Sequence, residues 1–122
     1  MARTRNYRDL LVWQRAMQLA RSIYTATSEF PKSEIFGLQS QIRRAAVSIP
    51  SNIAEGHGRL TDGSLRVFLG QARGSLFELE TQIDLAKEFG YINQKIAKGL
   101  HADCDEVARM LNGLISVLET NA

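Results

Sequence analysis

The amino-acid sequence predicts an all-α protein, an up-down-up-down antiparallel four-helix bundle forming a single domain over residues 1–122. Three observations predict it. Apolar residues recur at steps of three and four in four successive segments, the repeat of a helix face. There are only two prolines, and no apolar–polar alternation of the strand type persists beyond a few residues. The connections between segments are short, and short connections between long helices force antiparallel neighbours. At 122 residues, 44% hydrophobic and 23% charged, the chain has the size and composition of one globular core.

The first helix is expected over about residues 7–27. Val12, Ala16, Leu19 and Ile23 make one apolar line, and Trp13, Met17, Ala20 and Tyr24 a second beside it. So wide a stripe suits contact with more than one neighbour. Phe30-Pro31-Lys32-Ser33 then breaks the chain and places Ser33 to cap a second helix over about 34–56. Its inward residues are Leu38, Ile42, Ala45, Ile49 and Ile53, and Gly56-His57-Gly58 ends it. Thr61 or Asp62 caps the third helix, about 62–89. There Leu65, Leu69, Ala72, Leu76, Leu79, Ile83 and Ala86 form a heptad-like seam suited to nearly aligned helices. Gly90 stops it, and Asn93 caps a fourth helix over about 93–119 with Ile96, Leu100, Cys104, Val107, Leu111, Leu114 and Leu118 inward.

Two features sit awkwardly in these helices. Pro50 lies inside the second stripe, where it removes a backbone donor and leaves the Ala46 carbonyl in need of a partner. Ser48, Ser51 and Asn52 are close enough in sequence to supply one. A bend near Pro50 is expected, either merely tolerated or shaping the protomer for packing against others. Gly70 and Gly74 each cost about 1 kcal/mol relative to Ala in a helix interior. Close packing inside the bundle, close approach by another subunit, or a small cavity beside them would each account for the pair.

The net charge of +2 hides an uneven distribution. Residues 1–61 carry nine Lys/Arg against four Asp/Glu, whereas residues 62–122 carry six against nine. Eleven of the fifteen basic residues are Arg, which favours bidentate pairing with carboxylate or phosphate. No apolar run approaches the ~20 residues that span a bilayer, so no membrane partner is expected. No apolar secretory segment follows Arg3, Arg5 and Arg8, and the lone Cys104 has no internal disulfide partner. These point to a cytoplasmic protein with Cys104 as a packing residue.

Catalytic chemistry is not expected. A di-iron bundle needs inward Glu-x-x-His pairs, but Glu55 precedes His57 by two residues and Lys98 stands three before His101. One Cys and two separated His supply too few ligands for structural zinc. No phosphate-binding glycine loop is present, and neither His follows an Arg at the spacing of the HEPN-type ribonucleases. No metal or cofactor is therefore assigned. His57 reads as a solvated loop residue and His101 as a surface or boundary residue of the fourth helix. Antiparallel pairing about residues 59–60 sets Arg43 and Arg44 level with Leu76 and Ser75, within a turn of Glu78 and Glu80. An interhelix salt bridge, a phosphate contact and pairing across subunits all remain open for them.

The run RRAAVSIPSNIAEGHGR over 43–59, with Phe68-Leu69, Ala72-Arg73-Gly74-Ser75, Glu78-Leu79 and Gly90-Tyr91-Ile92, resembles the four-helix-bundle proteins encoded in bacterial 23S ribosomal RNA intervening sequences, also called the S23 type. Leu11-Val12-Trp13-Gln14 matches the family's usual opening, and the likeness spans about Tyr7 to Leu118. It is also similar to the accessory variability protein of diversity-generating retroelements. The resemblance implies a homopentamer of four-helix protomers. For the retroelement relative it also implies a basic surface engaging nucleic acid and a reverse transcriptase.

In an up-down bundle Arg3, Arg5, Arg8, Arg59 and Arg66 gather at one end, diluted by Asp9, Glu55, Asp62 and Glu119. With Arg43 and Arg44 they are the candidate contacts to RNA or DNA. A five-copy ring would multiply such weak contacts. The competing expectation is a structural adaptor recognising only protein, in which the basic first half of one subunit meets the acidic second half of the next.

Overall fold

The computed structural model describes residues 6–120. Four helices carry the fold: α1 (Leu11–Thr27), α2 (Leu38–His57), α3 (Asp62–Glu88) and α4 (Gln94–Thr120). One-turn 3-10 helices at Tyr7–Asp9 and Lys32–Glu34 precede α1 and α2, and the described residues contain no strand. Each helix packs on the next, and α1 packs on α4, while no Cα atoms of the diagonal pairs come within 8 Å of each other among the described residues. The polar bonds between helices run in opposite senses. Arg73 Nη1 donates to Asn112 Oδ1 at 3.0 Å, and His101 Nε2 meets Asp84 Oδ1 at 2.8 Å, so advancing along α3 retreats along α4. Ser48 meets Ser75 at 2.8 Å between α2 and α3, and Arg15 Nε pairs with Glu106 Oε1 at 3.0 Å between α1 and α4.

The core is one aliphatic cluster. Leu19, Ile23, Ile42, Ile49, Ile53, Leu69, Leu76, Leu79, Ile83 and Leu111 are fully buried. Each such side chain contributes about 1.5–3 kcal/mol by leaving water. The expected inward lines of α1, α3 and most of α2 lie in this cluster, although Leu38 is only half-buried. On α4, Ala97 and Ile115 are buried where Ile96 and Leu114 were expected, and Ile96 is exposed. A period of 3.6 leaves the choice between adjacent residues at a helix end to the packing of the neighbours, and here it falls one residue later.

The helix starts differ from expectation for local reasons. Asn6 Oδ1 accepts from the Arg8 N–H at 2.9 Å, which spends Tyr7–Asp9 in a 3-10 turn and delays α1 to Leu11. Ser33 does not cap α2, because it is absorbed into the turn that follows Pro31. Glu34 Oε1 instead accepts from the Leu38 N–H at 2.9 Å, with Gly37 in the N-cap position. The other stops and caps follow the expected residues. Thr61 Oγ1 accepts from Ser64 N, Asn93 Oδ1 accepts from Ile96 N, and Gly90 adopts φ +78°, a left-handed conformation suited to glycine.

Pro50 lies buried within a continuous α2. The nearby polar side chains do not turn to Ala46 as expected. Asn52 Nδ2 donates to the Ser48 carbonyl at 2.8 Å and to Ser48 Oγ at 3.0 Å, while that hydroxyl also bridges to Ser75. Gly70 and Gly74 make no close packing in the bundle either, since a Cβ built on either meets nothing within 4 Å. The glycine that close packing requires is Gly56, where a Cβ would stand 2.8 Å from the Phe68 Cβ.

Candidate interaction surfaces

The basic residues do not form one patch. Arg3 and Arg5 lie outside the described residues. Arg8, exposed in the first 3-10 turn, lies over the Tyr7 ring at 4.7 Å, and its carbonyl accepts from Gln14 Nε2 at 2.8 Å. Arg59, in the α2–α3 connection, lies over the Phe68 ring at 4.4 Å. Arg66 is exposed in the first turns of α3. The turn bearing Arg8 packs against α2, and Tyr7 shares a groove with Ala54 near the C-terminal end of that helix. Arg8, Arg59 and Arg66 thus belong to one end of the bundle, and two of them lie on aromatic faces. A cation held there gains about 0.5–1 kcal/mol at an exposed site.

Arg43 is committed elsewhere. Its Nε donates to Thr27 Oγ1 at 2.8 Å, an Nη2 donates to the Tyr24 carbonyl at 3.2 Å, and the guanidinium covers the Tyr24 ring at 4.4 Å. Thr27, itself buried, donates to the Ile23 carbonyl at 2.8 Å. Arg43 therefore braces the C-terminal end of α1, where unpaired carbonyls favour a cation. No ion pair joins Arg43 or Arg44 to Glu78 or Glu80 among the described residues. Ser48 opposite Ser75 centres the α2–α3 pair near residues 61–62 and sets Arg43 and Arg44 level with Glu80 and Leu79, but Arg43 turns to α1, where Thr27 and the Tyr24 carbonyl hold it. Arg44 is exposed.

A surface the sequence did not announce runs between α1 and α2. Tyr7, Trp13, Met17, Ala20, Arg21, Tyr24, Val47, Pro50, Ser51 and Ala54 line an open apolar groove of about 550 Å³. A second stretch of about 480 Å³ shares Tyr24 and Val47 and continues past Arg43 and Arg44 to Ile35 and Phe36, the last 97% exposed. Tyr7 and Trp13 meet edge to face at 5.3 Å in the groove. The second apolar line of α1 was the available signal. What the sequence could not give was that no helix among the described residues covers it.

Burial, with the nearby carboxylates Glu80, Asp103 and Asp105, pushes the Cys104 thiol up to about 12, so the thiolate is scarce at neutral pH. Glu80 is raised above its usual range, first by burial and then by Asp105. His57 is not a solvated loop residue: it closes α2, and its Nε2 is buried without a partner, as is Gln82 Oε1. His101 sits at the boundary as expected and pairs with Asp84. Among the described residues no group of three or more His, Cys, Asp or Glu is placed to hold a metal ion. Nor is any described helix long and apolar enough to cross a membrane.

A family model described as 23S rRNA-intervening sequence protein matches residues 8–113. No curated protein matches the chain. Among solved structures, the fold is similar to that of a protein of unknown function from the S23 ribosomal protein family of Bacteroides thetaiotaomicron VPI-5482. The TM-score is 0.78 at 22% sequence identity, over 86% of this chain and 98% of that one.

Proposed function

The chain belongs to the 23S rRNA-intervening sequence protein family, and we propose that it acts without catalysis, as a homo-oligomer that binds structured RNA or DNA through its basic end. The observation that carries this reading is the placement of Arg8 and Arg59, each over an aromatic ring at the same end of the bundle, with Arg66 at that end on α3. Guanidinium groups oriented in this way suit bidentate phosphate contact. One copy offers few such contacts. A pentameric ring, the assembly the family resemblance implies, repeats them five times and converts weak binding into useful affinity. A reverse transcriptase or another nucleic-acid enzyme is a compatible further partner, and the cytoplasm the compatible compartment.

The test is fluorescence anisotropy with a structured RNA and a DNA duplex across a salt series. Binding should fall linearly on a log–log plot, and Arg59→Ala/Arg66→Ala should flatten the slope. A response unchanged between low and physiological salt overturns the nucleic-acid reading. The α1–α2 groove favours a second reading, an adaptor that recognises only protein. That reading stands if the chain assembles but neither nucleic acid binds at low salt.

A further inference from the structure

Gly70 and Gly74 share with Gly63, Gly99 and Gly113 the absence of any packing neighbour, and what sets the pair apart is their place on one apolar outer face of α3. Gly70 and Gly74 each weaken a helix interior by about 1 kcal/mol, yet nothing lies within 4 Å of where their Cβ atoms would be. They are not isolated. Val67 and Phe77, 57% and 53% exposed, continue the same outer face at steps of three and four, and the fully exposed Leu60 stands just before the helix. This is a second heptad-like seam on the side of α3 away from the core. Its middle is pared to backbone, which lets another helix approach closely.

Resting on the oligomeric reading above, we propose that this α3 ridge enters the α1–α2 groove of a second copy. The two surfaces match in apolar character and, at the Phe77 end of the ridge, in charge. The groove offers an apolar floor from Trp13, Met17, Val47 and Pro50, while its charged lining is arginine alone, with no carboxylate among its residues. The ridge is bordered at its C-terminal end by Glu78, exposed beside Phe77, and at its N-terminal end by Arg66, exposed beside Val67. With Arg43 committed to α1, Arg21 and Arg44 are the groove arginines left to meet that carboxylate. Such rim pairs set orientation more than affinity, which comes from apolar burial. Ridge and groove occupy different parts of the surface, so each copy filling a neighbour's groove leaves its own groove for another. The contact is heterologous and grows until a ring closes.

Two variants break one surface each while leaving the core untouched: Gly70→Gln/Gly74→Gln on the ridge, where space is open, and Val47→Glu on the exposed groove wall. Size-exclusion chromatography with light scattering should show the wild type assembled. Each variant should run at the mass of one chain with helical circular dichroism and melting temperature retained. Mixed together, the two variants should form a complex of two chains and nothing larger, because only one intact ridge and one intact groove remain. Glu78→Arg should likewise weaken assembly, and adding Arg44→Glu should restore it; this pair decides the matter if a ridge or groove variant fails to fold. Variants that assemble like wild type, or mixed variants that stay apart, overturn the contact while leaving the oligomer standing. A wild type that remains one chain at every concentration overturns the oligomeric reading itself.

Discussion

The Tyr91 hydroxyl donates to Glu34 Oε2 at 2.8 Å while Oε1 of the same carboxylate accepts from the Leu38 N–H at 2.9 Å. One side chain thus caps α2 and ties the α1–α2 connection to the turn between α3 and α4. Tyr91 is itself flanked by Phe30 and Phe89 at 5.2 and 5.6 Å. Both bonds favour the ionised carboxylate and hold Glu34 below its ordinary 4.5, whereas the same contact raises Tyr91 above 10.0.

The sign of the acid effect follows from that depression. Glu34 contributes stability that is fully present above pH 4.5 and is lost as pH falls through the lower folded value. Glu34→Gln should therefore flatten the dependence of urea midpoint on pH below about 5, relative to wild type. Tyr91→Phe should shift the same profile in the same direction but less, because the Leu38 bond, the larger cause, remains. At alkaline pH the wild type should lose stability as Tyr91 ionises above its ordinary value, a loss absent from Tyr91→Phe.

Arg43 should behave as a brace and not as a nucleic-acid contact. Arg43→Ala removes two hydrogen bonds and a ring contact, and should lower unfolding free energy by about 1–3 kcal/mol in denaturant melts. Arg43→Lys should recover little, because a single ammonium cannot reproduce the planar fork that reaches Thr27 and Tyr24 together. Nucleic-acid affinity per folded molecule should not change in either variant.

Glycines on the two sides of the structure should respond in opposite ways. Gly56→Ala drives a methyl to within 2.8 Å of the Phe68 Cβ, and should cost about 1–3 kcal/mol by overpacking. Gly113→Ala, exposed on α4 with nothing within 4 Å, should gain about 0.5–1 kcal/mol from helix propensity alone. Equilibrium urea unfolding measures both.

Cys104 should resist thiol reagents in the folded state. Its side chain is fully buried and its ionisation is pushed up to about 12. Labelling by a disulfide reagent at neutral pH should track unfolding, rising steeply in denaturant and with local opening of α4.

Most of the fold was legible because it rests on periodicity. The lines Val12–Ile23, Leu65–Ala86 and Leu100–Leu111 need only a repeat of 3.6 to be read, and Thr61, Gly90 and Asn93 announce their roles by type. What escaped depended on register and on which side of a helix faces a neighbour. Arg43 reaches α1 and not α3 although the α2–α3 register sets it level with Glu80, because its guanidinium lies on the α1 side of α2, and no local pattern encodes that choice. Glu34 took the capping role from Ser33 because a 3-10 turn intervened. The candidate site was legible only as a list of arginines. That Arg8 and Arg59 rest on rings, and that Trp13 and Met17 face an uncovered groove, are facts of tertiary placement.

The seam between α1 and α4, pinned by Arg15 and Glu106, makes the four helices a closed circuit in space with its covalent gap at one corner. Moving that gap should therefore leave every helix with its own neighbours. A circular permutant that opens the chain at the solvent-facing Leu60 and joins the old ends by a flexible linker should still fold, with its new termini beside the basic end.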